Sequence, residues 1–184
     1  MQQPTLVLVD VQKGFDDDLW GNRNNPQAES NIAKLLHQWR DLNWPVVHVQ
    51  HCSVHSGSPL HPDHPGNAFK PEAEPQRGEA VFQKSVNSGF IGTNLESYLH
   101  ENEATQLVIA GLTTDHCVST TTRMAGNLGF DVILVSDATA TFDKQGVAGE
   151  LITADEVHRV NLASLNEEFC TVLDTQTTLE RFIL

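Results

Sequence analysis

Several things are scarce in this sequence, and each scarcity excludes a class of protein. Basic residues come first: Lys+Arg number 11 against Asp+Glu 24 in 184 residues, a formal net charge of −13. Such a chain is repelled by nucleic-acid backbones and anionic membrane surfaces, so neither is expected as a partner. Cysteine is next: three residues, Cys52, Cys117 and Cys170, are too few and odd in number for a disulfide framework. No apolar run approaches the roughly 18 residues that a membrane span needs. Met1-Gln2-Gln3-Pro4 offers neither a basic nor an apolar leader. These absences read as a cytoplasmic protein. Residues 1–184 read as a single domain of ordinary globular composition, 39% hydrophobic and 19% charged. The phosphate loop GxxxxGK[ST], a GxGxxG after a strand, and the serine elbow GxSxG are all missing, so no nucleotide cofactor is expected.

What is present is an alternation of short buried runs and amphipathic stretches. Thr5-Leu6-Val7-Leu8-Val9 is apolar and β-branched up to Asp10. Similar runs lie at Pro45 to Val49, Ala80 to Gln83, Gln106 to Leu112, Asp131 to Val135 and Phe169 to Leu173. Short continuous apolar runs fit strands buried on both faces. Ile32, Leu35, Leu36, Trp39 and Leu42 form one helical stripe, and Thr93-Asn94-Leu95-Glu96 and Thr153-Ala154-Asp155-Glu156 both spell capping boxes. The alternation specifies an α/β domain with a mainly parallel sheet and helices on both faces. In such sheets ligands bind beyond the carboxyl ends of the strands, which makes strand-end residues the candidates. Ser53 to Gly78, with Pro59, Pro62, Pro65, Pro71 and Pro75, reads as an irregular excursion: a lid, a subunit contact or an exposed insertion.

Asp10 directly follows a buried strand, where poor solvation raises a carboxyl pKa and suits proton transfer; a structural, hydrogen-bonded aspartate is the alternative. Gly111-Leu112-Thr113-Thr114-Asp115-His116-Cys117-Val118 leaves a strand, turns, and enters a helix that Thr114 or Asp115 can cap. Cys117 then sits in the first helical turn, where the helix dipole and free N–H groups favour a thiolate; an inert core cysteine is the alternative. Lys84 ends an apolar run and needs a partner if buried; paired with Asp10 it would lower the pKa of Cys117, whereas a surface lysine would do neither. Phe15, Trp20 and Phe90 are candidates to wall a cavity around a planar substrate, or are ordinary core aromatics. Five of the nine histidines, His48, His51, His55, His61 and His64, crowd one region, but no HExxH or CxxC spacing accompanies them and no metal is assigned.

Together, Asp10 within Val9-Asp10-Val11-Gln12-Lys13-Gly14-Phe15, Lys84, and Cys117 in its block resemble the isochorismatase-like cysteine hydrolase superfamily. That group includes nicotinamidases, N-carbamoylsarcosine amidohydrolases, ureidoacrylate amidases and isochorismatases. The resemblance extends to Ser88-Gly89-Phe90-Ile91-Gly92-Thr93-Asn94-Leu95 and to Val135-Ser136-Asp137-Ala138, and so covers nearly the whole chain. It implies a three-layer, Rossmann-like fold with a six-stranded sheet, an Asp10–Lys84–Cys117 triad and a homo-oligomer. It also implies a cis peptide joining Leu112 to Thr113, with the N–H groups of Thr113 and Cys117 forming an oxyanion hole. The chain departs from the pattern at Gly14-Phe15, where relatives often carry Asp-Phe. It departs again at Gln50-His51-Cys52-Ser53, where nicotinamidases place an Asp-x-His metal pair.

The expected activity is metal-independent hydrolysis of a small carboxamide or carbamoyl substrate through a thioester. The alternative is an isochorismatase-type vinyl-ether hydrolysis releasing pyruvate, which needs no thiolate; the presence of Cys117 favours the amidase. A ligand-binding scaffold would have no need of three reactive residues, and a redox thiol lacks a resolving cysteine nearby in sequence.

Overall fold

Every residue of β1 (Thr5–Val9) is buried, because alternate side chains enter two separate cores. Leu6 and Leu8 point into one and Val7 and Val9 into the other. The computed structural model describes residues 3–183. In it the same two-sided burial recurs in β2 (Val46–His51), β4 (Gln106–Leu112) and the first half of β5 (Asp131–Ala140). With β3 (Ala80–Lys84) and β8 (Thr171–Leu173) these form a six-stranded sheet of order β3-β2-β1-β4-β5-β8, parallel throughout. β6 (Lys144–Gln145) and β7 (Leu151–Ile152) make a separate antiparallel pair.

α1 (Ala28–Asp41) and α5 (Thr175–Ile183) cover one face, where Ile32, Leu35, Leu36 and Trp39 pack on Leu6, Leu8, Val108 and Ile133. α2 (Leu95–Glu101), α3 (Ser119–Asn127) and α4 (Ala154–Leu165) cover the other, bringing Leu95, Leu99, Ala125 and Leu165 against Val7, Val9 and Ile109. The α/β layering read from the sequence is the observed one. No helix among the described residues is long and apolar enough to cross a membrane.

The differences are local. β5 runs past Val135 to Ala140 because its pairing with β4 resumes beyond a register shift between Ile109 and Gly111. The capping box at Thr153 forms, but the one at Thr93 does not. The Thr93 hydroxyl donates to Gly89 O (2.6 Å), and α2 starts at Leu95 with Asn94 at its cap. The proline-rich excursion is pinned along its inner edge. Gln12 Nε2 donates to Asn67 O (2.8 Å), and Asn67 Nδ2 donates to Leu60 O (2.8 Å), tying the segment to the carboxyl ends of the strands.

Candidate active site

Three strand ends and one turn converge at the carboxyl edge of the sheet. Asp10 follows β1 with φ 53°, its N–H bonded to Val49 O at 2.9 Å, which turns its side chain inward to full burial. Lys84 ends β3, and its Nζ lies 2.6 Å from Asp10 Oδ2, both side chains 0% exposed. Between them β2 ends at His51, the register partner of Lys84. Lys84 donates a further bond to His51 Nδ1 at 3.1 Å. Burial and then the Lys84 charge push His51 down to about 4, so at neutral pH the ring is an uncharged acceptor. Gln12 braces this residue: its Oε1 accepts from His51 N–H (2.8 Å) and its Nε2 donates to His51 O (3.0 Å).

Burial raises the Asp10 carboxyl above its ordinary range, against the pull of Lys84. The second Asp10 oxygen, Oδ1, is buried and has no hydrogen-bond partner among the described residues.

Cys117 arrives from β4. Gly111 has φ 131°, and a Cβ there would lie 2.0 Å from Val9 O, so only glycine lets β4 lie against β1 at this point. The Leu112–Thr113 peptide is cis. Thr114–Val118 then form a single π-helical turn that runs into α3 and carries the thiol. Thr113, rather than Thr114 or Asp115, takes the cap position, and it makes no side-chain capping bond. The other two are engaged elsewhere: Thr114 Oγ1 meets His158 Nδ1 at 2.8 Å, and Asp115 accepts from the Thr141 hydroxyl. Asp10, His51 and Cys117 bring their ligand atoms within 4.8 Å of one another. The Cys117 thiol is pushed well up by burial and by the Asp10 charge, with Lys84 opposing. Burial and the neighbouring Asp10 thus work against the thiolate that the helix start favours.

The thiol opens into a cavity of about 210 Å³. Phe15, Trp20, Leu60 and Phe142 form its apolar wall, and His51, Asn87, Thr113 and Cys117 its polar one. The Phe15 and Trp20 rings stand 5.4 Å apart and Trp20 and Phe142 5.8 Å. Trp20 is fixed by its Nε1–H bond to Gly14 O at 2.7 Å. Phe15 and Trp20 thus lie where a pocket wall was expected, but Phe90 does not. It is buried in the core under α2, its ring 6.2 Å from that of Phe130. Phe142 was missed in the sequence and His51 was read only as one of a histidine cluster, although both follow the strand-end rule once β2 and β5 are given their full lengths.

The histidines of the excursion do not converge. His48 is buried against Glu79 (2.8 Å), His61 pairs with exposed Asp63 (3.7 Å), and His64 Nδ1 accepts from Gly66 N–H (3.0 Å). His51 alone of the five lines the cavity.

Known proteins share this arrangement of the chain. Residues 4–177 match the isochorismatase domain model. The isochorismatase family protein YrdC of Bacillus subtilis (strain 168) is 50% identical over 182 residues, covering 99% of this chain and 97% of that one. A solved isochorismatase-family protein from Chromobacterium violaceum ATCC 12472 superposes with a TM-score of 0.94 at 48% identity, covering 97% of this chain and 92% of its own. Ureidoacrylate amidohydrolase RutB of Variovorax paradoxus (strain S110) is 28% identical over 169 residues, 73% of this chain and 67% of that enzyme. The near-complete family match, the parallel sheet and the superposition agree: the chain belongs to the isochorismatase family.

Proposed function

We propose that the chain is a metal-independent cysteine hydrolase that cleaves the C–N bond of a small carboxamide or carbamoyl compound. The observation that carries this reading is the buried Asp10–Lys84 pair beside the Cys117 thiol, at the floor of an aromatic-walled cavity. A raised carboxyl with one free oxygen is suited to take a proton and later return it. As Cys117 Sγ attacks the carbonyl carbon, its proton passes to Asp10, and the Lys84 ammonium offsets the charge that develops on sulfur. The N–H groups of Thr113 and Cys117 receive the oxyanion. Asp10 then protonates the departing nitrogen as the C–N bond breaks and leaves the acyl group as a thioester. Water, losing a proton to Asp10, hydrolyses that thioester and restores the thiol.

The Lys84 ammonium already bonds both Asp10 and His51, two of the three grouped ligand residues, so a side-chain cation takes the role an ion would have there. The cavity is smaller than the roughly 300–1,000 Å³ of pockets for drug-sized ligands, which supports a small substrate. A relative named as an amidohydrolase of ureidoacrylate supports C–N cleavage within the family.

The test is ammonia release from a panel of primary amides and carbamoyl compounds, with chelator present and isochorismate assayed alongside, in wild type and Cys117→Ala. Chelator-resistant ammonia release that disappears in the variant is expected. Isochorismate cleavage that survives in Cys117→Ala would replace this reading with vinyl-ether hydrolysis.

A further inference from the structure

The turn that carries Cys117 depends on a side chain from a distant helix. Thr114–Val118 is a single π-helical turn, in which Val118 N–H donates to Thr113 O at 3.2 Å. Such turns are rare and recur at functional sites. Thr113, at its cap, supplies no side-chain bond. Its first residue is held instead from 44 positions further along the chain. Thr114 is fully buried, and its Oγ1 meets His158 Nδ1 at 2.8 Å.

The far side of the ring fixes the direction of that bond. His158 Nε2 lies 3.4 Å from Asn25 Nδ2. That amide commits both its protons, to Ser136 O (3.1 Å) and Thr139 O (2.7 Å), and has none left for the ring. Burial holds His158 below the usual histidine range, against Asp155, the Ser136 carbonyl and Asp115, so at neutral pH the ring carries one proton. We assign that proton to Nε2, with the Ser136 carbonyl as its acceptor. Nδ1 is then the acceptor, and the Thr114 hydroxyl donates to it.

His158 stands on a fixed base. α4 opens with the Thr153–Glu156 capping box and with Ala154 N–H donating to Asp143 Oδ1 at 2.7 Å, and it ends with Leu165 buried in the core. The ring does not line the Cys117 cavity; its outer edge faces a separate surface cleft shared with Asn25, Asp137 and Arg159. It reaches the reacting atoms only through the turn.

We propose that His158 is a positioning residue for the nucleophile turn: its Nδ1 takes the Thr114 hydroxyl proton and so fixes the backbone that sets Cys117 against Asp10 and aims the Thr113 N–H. This rests on the hydrolase reading of the site. Because His158 stands behind the turn, its loss lowers kcat and leaves KM.

The experiment removes the bond from each end. His158→Phe keeps a ring and loses the acceptor; Thr114→Val keeps the shape and loses the donor. On the primary amide that wild type turns over fastest, each should lower kcat about 10- to 100-fold, as small misplacements of a reacting group do. KM should stay within about twofold. His158→Asn, whose Oδ1 falls where Nδ1 was, and Thr114→Ser should each recover most of the loss. The double variant His158→Phe/Thr114→Val should be no slower than the slower single, since both ends belong to one bond. Wild-type kcat in His158→Phe, losses that multiply in the double variant, or a loss that appears in KM overturns the proposal. If His158→Phe does not fold, the Thr114 pair decides: equal kcat in Thr114→Val and Thr114→Ser overturns it as well.

Alkylation of Cys117 by iodoacetamide, followed by peptide mass, needs no turnover and separates this proposal from the hydrolase reading. It should slow about three- to tenfold in His158→Phe, as loss of one hydrogen bond implies, and recover in His158→Asn. No ammonia from any amide in wild type, together with that pattern of alkylation, would sink the hydrolase reading and keep the positioning role. Amide turnover with the same kcat in wild type and His158→Phe would do the reverse.

Discussion

Lys84 and Lys70 are both almost fully buried and both bonded to carboxylates, yet the carboxylates respond in opposite directions. Asp10 is wholly buried, meets one cation through one oxygen, leaves the other oxygen unpartnered, and has its carboxyl raised. Glu29 sits near the surface of α1 and is gripped by two cations: Arg23 through both its terminal nitrogens (2.8 and 2.6 Å) and Lys70 at 2.7 Å. Burial works against it, but the Arg23 and Lys70 bonds prevail and hold Glu29 at about 2. The same chemical pair thus makes a proton acceptor in one place and a strut in the other. What separates them is the number of cations per carboxylate set against the depth of burial. The cleft beside Lys70 is also the larger, about 540 Å³ against 210 Å³, so volume does not identify the chemistry here.

If that contrast is right, the two clusters should fail differently. The largest effect belongs to Cys117→Ala, which should lower kcat by at least about 10⁴-fold. Thermal unfolding should leave that variant close to wild type, since little volume is lost. Asp10→Asn comes next, with kcat falling about 10³-fold or more. Its stability in chemical denaturation should change little, because the fold already disfavours the ionised carboxyl. Adding Lys84→Met to Asp10→Asn should restore none of the turnover. Full activity in Asp10→Asn would break the assignment of the proton acceptor.

Glu29→Gln should do the opposite, with kcat unchanged and stability reduced. The Glu29 carboxyl is depressed from 4.5 to about 2 on folding, so its contribution is complete above pH 4.5 and disappears as pH falls towards 2. The loss should be on the order of 2–3 kcal/mol over that window. Denaturant midpoints followed from pH 6 to 2 should show wild type and Glu29→Gln converging at the acid end. Parallel curves would mean that Glu29 is not the strut described here. Asp10 has the reverse sign, since a raised carboxyl makes its ionised form oppose folding at neutral pH.

Asp10, Lys84 and Cys117 were legible in the sequence because each ends or follows a short apolar run, and in a parallel sheet such positions share one edge. Other features depended on contacts that no local pattern encodes. His51 was passed over because the apolar run of β2 stops at Val49, while the strand continues two residues further to pair with β3. The upward push on the Cys117 thiol comes first from its burial and then from a carboxyl more than a hundred residues away, neither of which its own segment displays. Thr93 carries the letters of a capping box, but its hydroxyl oxygen accepts from Leu95 N–H (3.3 Å), one residue short of Glu96, while its proton goes to Gly89 O.

Phe90 and Trp20 make the sharpest local comparison, since both follow a strand end closely and both are candidates for the cavity wall. After β3 the chain turns at Gly89, whose N–H donates to Thr121 Oγ1 (3.0 Å), and this sends Phe90 under α2 towards Phe130. Trp20 is held at the cavity by Gly14 O and by its two ring neighbours. Trp20→Leu should therefore raise KM about three- to tenfold, as loss of an aromatic contact of about 0.5–1.5 kcal/mol implies, with little change in unfolding. Phe90→Leu should lower stability by about 1 kcal/mol and leave KM within about twofold. Measured together, the two variants separate wall from core. A KM that rises more in Phe90→Leu than in Trp20→Leu would show that the substrate lies on the α2 side of Cys117, and the aromatic wall would have to be reassigned.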